Sequence, residues 1–448
     1  MPGAKGKSDG RAKTSSGAKP ANNGKSYGRF MVLWAADFYA NIASGLTAFA
    51  LGIFMFELTG TATSVSLTVL SAFLPGMLLN PVAGVLADRF DRRLMMIIGD
   101  GCSALGLAYV LFCIMSGNIS EWQIYLGVGI NSAFVALIEP AFKATITDLL
   151  TKEQFAKASG LVQIAGSAKF LLSPFIAGFL LTVTDIKTIL IIDITTILVT
   201  VPVTILIKKQ FTAAKVNHAK QGFFREFADG WRVISSNKGL LLMILIISLV
   251  SFYVGFVQTL YTPLMLTITD AKTLGIVESI SAVGMLVSSV ILGVVTVTKK
   301  YVNQLVAGLI SAGLFIALLG LTTNVYIITL SGFLFFVALP FINTSADVLA
   351  RSNIPDDKQG RAWGFIGILS QFGFAIAFAI SGFLADHVFN PLLAENGFLA
   401  ASIGRITGVG SGRGIGLMLI VSGILLVITA VLLGKVRSIR DLERGTQS

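Results

Sequence analysis

Charge is what this sequence has least of. Asp, Glu, Lys and Arg make up only 13% of its 448 residues, about half the roughly 25% of an ordinary soluble domain. Hydrophobic residues make up 54%, and mean hydropathy is +0.82. A single soluble core has no room for so much apolar surface, whereas lipid accommodates it. Histidine is nearly absent. His218 and His387 stand alone, one in a loop and one at the end of an apolar run, so neither belongs to a catalytic or metal-binding constellation. Cysteine is equally scarce. Cys102 and Cys113 share one apolar run, which excludes a disulfide framework and predicts two small buried hydrophobes. There is no phosphate-binding loop, so ATP is not expected as the energy source. Together these absences argue against an enzyme and against any metal or cofactor.

Long apolar runs are plentiful. Twelve approach the ~20 residues a bilayer requires: near 30–58, 64–87, 94–116, 122–146, 157–183, 187–207, 239–263, 275–298, 302–321, 326–349, 362–386 and 413–434. Each must be helical, because a lone strand would leave backbone groups unpaired in lipid. The expected fold class is therefore an all-α membrane protein of twelve transmembrane helices. The net charge of +11 reads as topology rather than as a nucleic-acid surface. Basic residues crowd alternate loops: Arg89, Arg92 and Arg93; Lys152 and Lys157; 208–238; Lys299 and Lys300; Arg351, Lys358 and Arg361; and the tail from Lys435. Most of the intervening loops carry none. The positive-inside rule then puts both termini in the cytoplasm of a multi-pass plasma-membrane protein.

Five segments follow from this pattern. Residues 1–29 are a basic tail too polar to fold. Residues 30–207 form a first six-helix half and 239–434 a second. Residues 208–238 are a cytoplasmic connection, in which FFREFADGWRVI (223–234) sets Phe223, Phe224, Phe227, Trp231 and Ile234 on one face, as an interfacial helix does. Residues 435–448 are a second tail. The halves echo one another. FVAL occurs at 134–137 and 336–339, KASG (157–160) matches RAWG (361–364), and GFL recurs at 178–180 and 382–384, all offset by 202 to 204. Two repeated six-helix halves are the signature of a secondary transporter.

The stretch GVLADRFDRR (84–93) interrupts this apolar pattern in the turn after the second span. Gly84 permits close helix approach, and Asp88 is placed to accept hydrogen bonds from the start of a neighbouring helix. The stretch resembles the loop signature of the major facilitator superfamily, with Gly84, Leu86, Asp88, Arg89, Arg92 and Arg93 matching and Asp91 replacing the usual glycine. The ADRFDRR variant resembles the drug:proton antiporter subfamily that contains macrolide efflux proteins and the enterobactin exporter. EPAFKATITDLLTKEQFAKASGL (139–161), FADGWRVISSN (227–237), PLLAENGFLAASIG and GSGRGIGLM (391–418) are similar to other parts of that group. The resemblance implies two pseudo-symmetric halves and a conformational latch of Gly84, Asp88, Arg89, Arg92, Arg93 and Arg361. In it Asp88 holds the start of the eleventh span near Arg361 in the outward-facing state. Two features depart from the pattern. The fourth-span arginine of many antiporters is absent from IYLGVGINSAF, and GVVTVTKKY (293–301) lacks the acidic residue of a second latch.

Ionisable residues inside spans cost roughly 2.5–3.5 kcal/mol each on insertion scales, so each needs a reason. Asp37, with Asn41 four residues on, is the first candidate for proton coupling. Glu139 is the second, since Lys143 lies at i+4 and can pair with it. Both carboxylates also admit a purely structural role. Lys169, about 18 Å into its span, either neutralises a neighbouring carboxylate or meets an anionic substrate. Asn41, Lys143 and Lys169 are thus the substrate-cavity candidates. Asp100 is expected to support the Arg89–Arg93 turn, Asp193 and Glu278 to reach water near the outer surface, and Asp347 to pair with Arg351. The expected activity is proton-coupled efflux of an amphipathic compound, macrolide-like or related, by alternating access. The expected partners are a small-molecule substrate, protons and the bilayer, without nucleic acid, for a monomer. The alternatives are transport of a metabolite, siderophore or lysolipid, and a non-transporting scaffold.

Overall fold

The computed structural model describes residues 26–208, 231–232, 235, 238–294, 300–355 and 359–446; the side chains of Asp88 and Arg361 lie outside that description. Among the described residues, twelve helices are long and apolar enough to cross a membrane. Spans 1 to 6 are Tyr27–Thr59, Ala62–Ala87, Arg92–Met115, Glu121–Leu149, Lys152–Val183 and Ile186–Ile207. Spans 7 to 12 are Lys238–Leu266, Ala271–Val294, Tyr301–Leu321, Val325–Asn353, Phe365–Leu392 and Arg413–Lys435. The all-α architecture expected from composition is therefore present. The interfacial helix predicted over 223–234 lies outside the described residues, apart from Trp231 and Arg232. The Trp231 ring packs 5.3 Å from that of Phe365.

The spans start where the sequence supplies caps. Even-numbered spans begin at the end opposite the basic loops, and polar residues close their first turns. Thr61 accepts from Ser64 N, Asp185 from Thr188 N, Asp270 from Thr273 N and Asn324 from Tyr326 N. At span 4, Gln123 Oε1 reaches back to Ser120 N. Proline accounts for two interruptions. Span 4 breaks between Val135 and Ile138, because Pro140 has no N–H for the Ala136 carbonyl. Span 5 breaks at Leu172, two residues before Pro174.

Small residues set the spacing of helices. A Cβ on Gly106 of span 3 would collide with the Gly127 carbonyl of span 4, and one on Gly127 would lie 2.8 Å from the Gly106 carbonyl. The chain end folds back on the second half: Ile439 and Leu442 are buried, and Glu443 accepts from Val302 N at 2.8 Å.

The two halves are joined at the end opposite the basic loops. There, a Cβ on Gly178 of span 5 would come within 2.8 Å of the Ala271 carbonyl at the start of span 8. Gly382 of span 11 likewise touches Thr63 and Ser66 of span 2. Midway along, Phe73 of span 2 meets Phe378 of span 11 edge-on at 5.2 Å.

Candidate substrate and proton site

Spans 1, 3, 4, 5 and 6 enclose a cavity of about 380 Å³. Its lining belongs wholly to the first half and lies mostly in the part of that half nearer the basic loops. Asp37, Asn41, Glu139, Lys143 and Lys169 all face it, so the five residues singled out as proton or substrate candidates share one site. Asn41 donates Nδ2 to the Asp37 backbone carbonyl at 2.9 Å. Lys143 bridges Glu139 at 2.6 Å as anticipated. Both side chains are 63% exposed, so this pair sits in the wide part of the cavity rather than in a dry recess.

Two carboxylates stand where the sequence did not place them. Asp100 lines the cavity beside Thr200 instead of supporting the Arg89–Arg93 turn. Its helical phase turns it toward spans 1 and 6. Asp193 also lines the cavity, within electrostatic reach of Lys169 and beside Thr47; it does not face the outer surface. Span 6 is interrupted at Thr196, whose hydroxyl donates to the Asp193 carbonyl at 2.7 Å. Glu278 is half-buried and faces Tyr261 of span 7 rather than open water.

The charge balance of the cavity follows. Lys143 is taken by Glu139, and Lys169 faces Asp193. Asp37 lies within electrostatic reach of both Asp100 and Glu139. Among the described residues neither Asp37 nor Asp100 has a basic partner within 4 Å. The site is thus a polar pocket with two uncompensated carboxylates between Leu33, Ala36, Met96, Leu107 and Phe142. Such a site can hold a proton, or the cationic group of an amphipathic ligand whose apolar body lies on those side chains.

The arginine turn has a partner that sequence reasoning missed. Arg92 Nη1 binds Asp148 at 2.9 Å and the Ala144 carbonyl at 3.1 Å, both at the end of span 4, and Arg93 lies 4.0 Å from Asp148. The signal was available: Asp148 stands in TITDLL (145–150), at the loop-facing end of span 4. Arg89 is exposed. Asp347 and Arg351 pair at 2.8 Å, as predicted.

The model of the family described as Major Facilitator Superfamily matches residues 33–378. A curated relative, macrolide efflux protein A of Streptococcus pyogenes, is 25% identical over 370 residues, covering 80% of this chain and 90% of that protein. Among solved structures, the nucleoside transporter NupG superposes with a TM-score of 0.70 at 15% identity, over 91% of this chain and 100% of its own. A bacterial homologue of the human lysosomal transporter Spinster, inward-facing and unoccupied, gives 0.71 at 13% identity, over 94% and 99%. Likeness at such identity carries the fold, and the family model carries the membership: this chain, an integral membrane transporter and not an enzyme, belongs to the Major Facilitator Superfamily.

Proposed function

We propose that the protein is a proton-coupled antiporter that expels amphipathic compounds, macrolide-like molecules among them, by alternating access. The observation that carries this reading is the pair of carboxylates, Asp37 and Asp100, which among the described residues have no basic partner within 4 Å, in a cavity where Glu139 is bridged by Lys143 and Asp193 faces Lys169. An anionic pocket of this kind attracts either a proton or a cationic ligand, and competition between the two is the simplest basis for antiport. Asp37 is the preferred proton carrier. Glu139, already bridged by Lys143 at 2.6 Å, has less reason to change its protonation. The excess of arginine and lysine at the cavity end supports a cytoplasmic position for that end and for both termini. Substrate then enters from the cytoplasm while the halves are joined at the far end. The relative's name, macrolide efflux protein A, supports the direction of transport and the substrate class.

The test uses inside-out vesicles with an acidified lumen and a pH-sensitive dye. Macrolides, lipophilic cations and siderophores are added in turn to wild type and Asp37→Asn. Substrate-triggered proton loss that falls at least about ten-fold in the variant supports antiport through Asp37. Loss that persists moves the proton to Asp100 or Glu139. No proton movement with any compound overturns the antiporter reading.

A further inference from the structure

The pentapeptide pattern Gly-x-Leu-Ala-Asp is written twice in the chain: GVLAD at 84–88 closes span 2, and GFLAD at 382–386 ends the regular α-helix of span 11. The two spans run antiparallel, so the end of each lies beside the start of the other. The second copy is engaged. Asp386 reaches across the boundary between halves to the first turn of span 2. Its Oδ1 accepts from Ala62 N at 3.1 Å, and its Oδ2 from Thr63 N at 2.8 Å and Thr63 Oγ1 at 2.6 Å. Gly382, one turn earlier, lets the helices touch: a Cβ there would collide with Thr63 and Ser66. The helix then passes into a π-helical turn over Ala385–Phe389, within which Asp386 is aimed at span 2. At the first copy the Asp88 side chain lies outside the described residues; among those described, no atom of a neighbouring element lies within 4 Å of where a Cβ on Gly84 would stand.

From this geometry we infer that Asp386 is the positioning residue of a second latch, reciprocal to that of Asp88. It closes the end opposite the basic loops by capping span 2, and it lets go when the halves rock. In each latch one helix ends in a carboxylate that meets the exposed N–H groups and positive dipole end of the other. A Gly-Leu-Ala seam allows the approach. The two latches sit at opposite ends of one helix pair, so rocking about the Phe73–Phe378 contact engages one while it opens the other. The chain lacks an acidic latch residue after span 8, in GVVTVTKKY at the basic end; the second carboxylate, on span 11, serves the opposite end.

The test needs neither substrate nor a proton gradient, so it can fail independently of the antiport reading. In the full chain with Cys102→Ala and Cys113→Ala, spin labels are placed at Thr184→Cys and Thr323→Cys. These exposed positions lie in different halves at the latched end. Distance distributions are measured in lipid nanodiscs. Asp386→Ala is expected to raise the population with that end separated about ten-fold, the weight of one charge-assisted hydrogen bond. Thr63→Pro keeps Asp386 but removes both of its Thr63 donors, at a first-turn position that tolerates proline. It is expected to shift the distribution the same way. If Asp386→Ala does not fold, Asp386→Asn takes its place. Unchanged distances in both variants, or a shift in only one, overturn the latch.

Discussion

Lys169 is the most deeply placed cation in the first half, and its standing depends on Asp193. A buried charge survives only when something compensates it. Removing the lysine leaves Asp193 facing Thr47 and an apolar wall. Lys169→Met is therefore expected to cost about 3 kcal/mol, the lower edge for breaking a buried pair. Adding Asp193→Asn should restore much of it. Thermal melting in detergent checks this, and a double variant as weak as the single one would show that the two side chains do not compensate each other. Arg92 works differently. It ties the start of span 3 to the end of span 4 through Asp148 and the Ala144 carbonyl. Arg92→Ala is expected to cost less than about 1 kcal/mol, and so to lower the melting temperature only slightly, because both partners are partly exposed.

Individual spans were largely legible because their chemistry is local. Apolar length located each helix, and the short loops supply Thr61, Ser120, Asp185, Asp270 and Asn324 as caps. What was not legible is rotation. The true phase and bending of a helix decide which way Asp100 or Asp193 points, and span boundaries read from hydropathy are soft by a turn. The break at Thr196 follows no proline and left no signal. The caps make a specific prediction at span 8. Backbone and hydroxyl hydrogen bonds from Thr273 hold the Asp270 carboxyl below the usual carboxylate range. A lowered folded pKa means that the cap stabilises above the unfolded value, near ~4, and that this stabilisation fades as pH falls through the lower folded value. Asp270→Ala should cost about 0.5–1 kcal/mol at pH 7, and the gap from wild type should narrow below pH ~4. Melting curves at pH 7 and 3.5 read it; a gap that widens in acid contradicts the assignment. Packing between spans 3 and 4 is less forgiving. Gly106→Val is expected to cost ~3 kcal/mol or more, since the new methyls meet backbone rather than a movable side chain.

For the whole molecule, the internal repeat announced two halves, yet no repeat says at which end they touch. A transporter's sequence must be compatible with both arrangements, so the seam becomes visible only when one of them is laid out. Here it runs through glycines. Gly178 and Gly275 bring span 5 against span 8, with backbone facing backbone. A side chain on Gly275 would strike the Pro174 carbonyl, and neither backbone can yield cheaply. Gly275 is remote from the carboxylate cavity, whose lining belongs wholly to the first half. Gly275→Leu should therefore separate two quantities that a binding-site variant would change together. Substrate affinity measured on purified protein from the basic end is expected to stay within about three-fold of wild type, because the cavity keeps its walls. Transport into vesicles is expected to fall about ten-fold or more, because the opposite end can no longer close during the cycle. Equal loss of affinity and transport would mean that the seam shapes the cavity itself. Normal transport would mean that the halves close on other contacts, with the Asp386 cap and the Phe73–Phe378 contact left to hold that end.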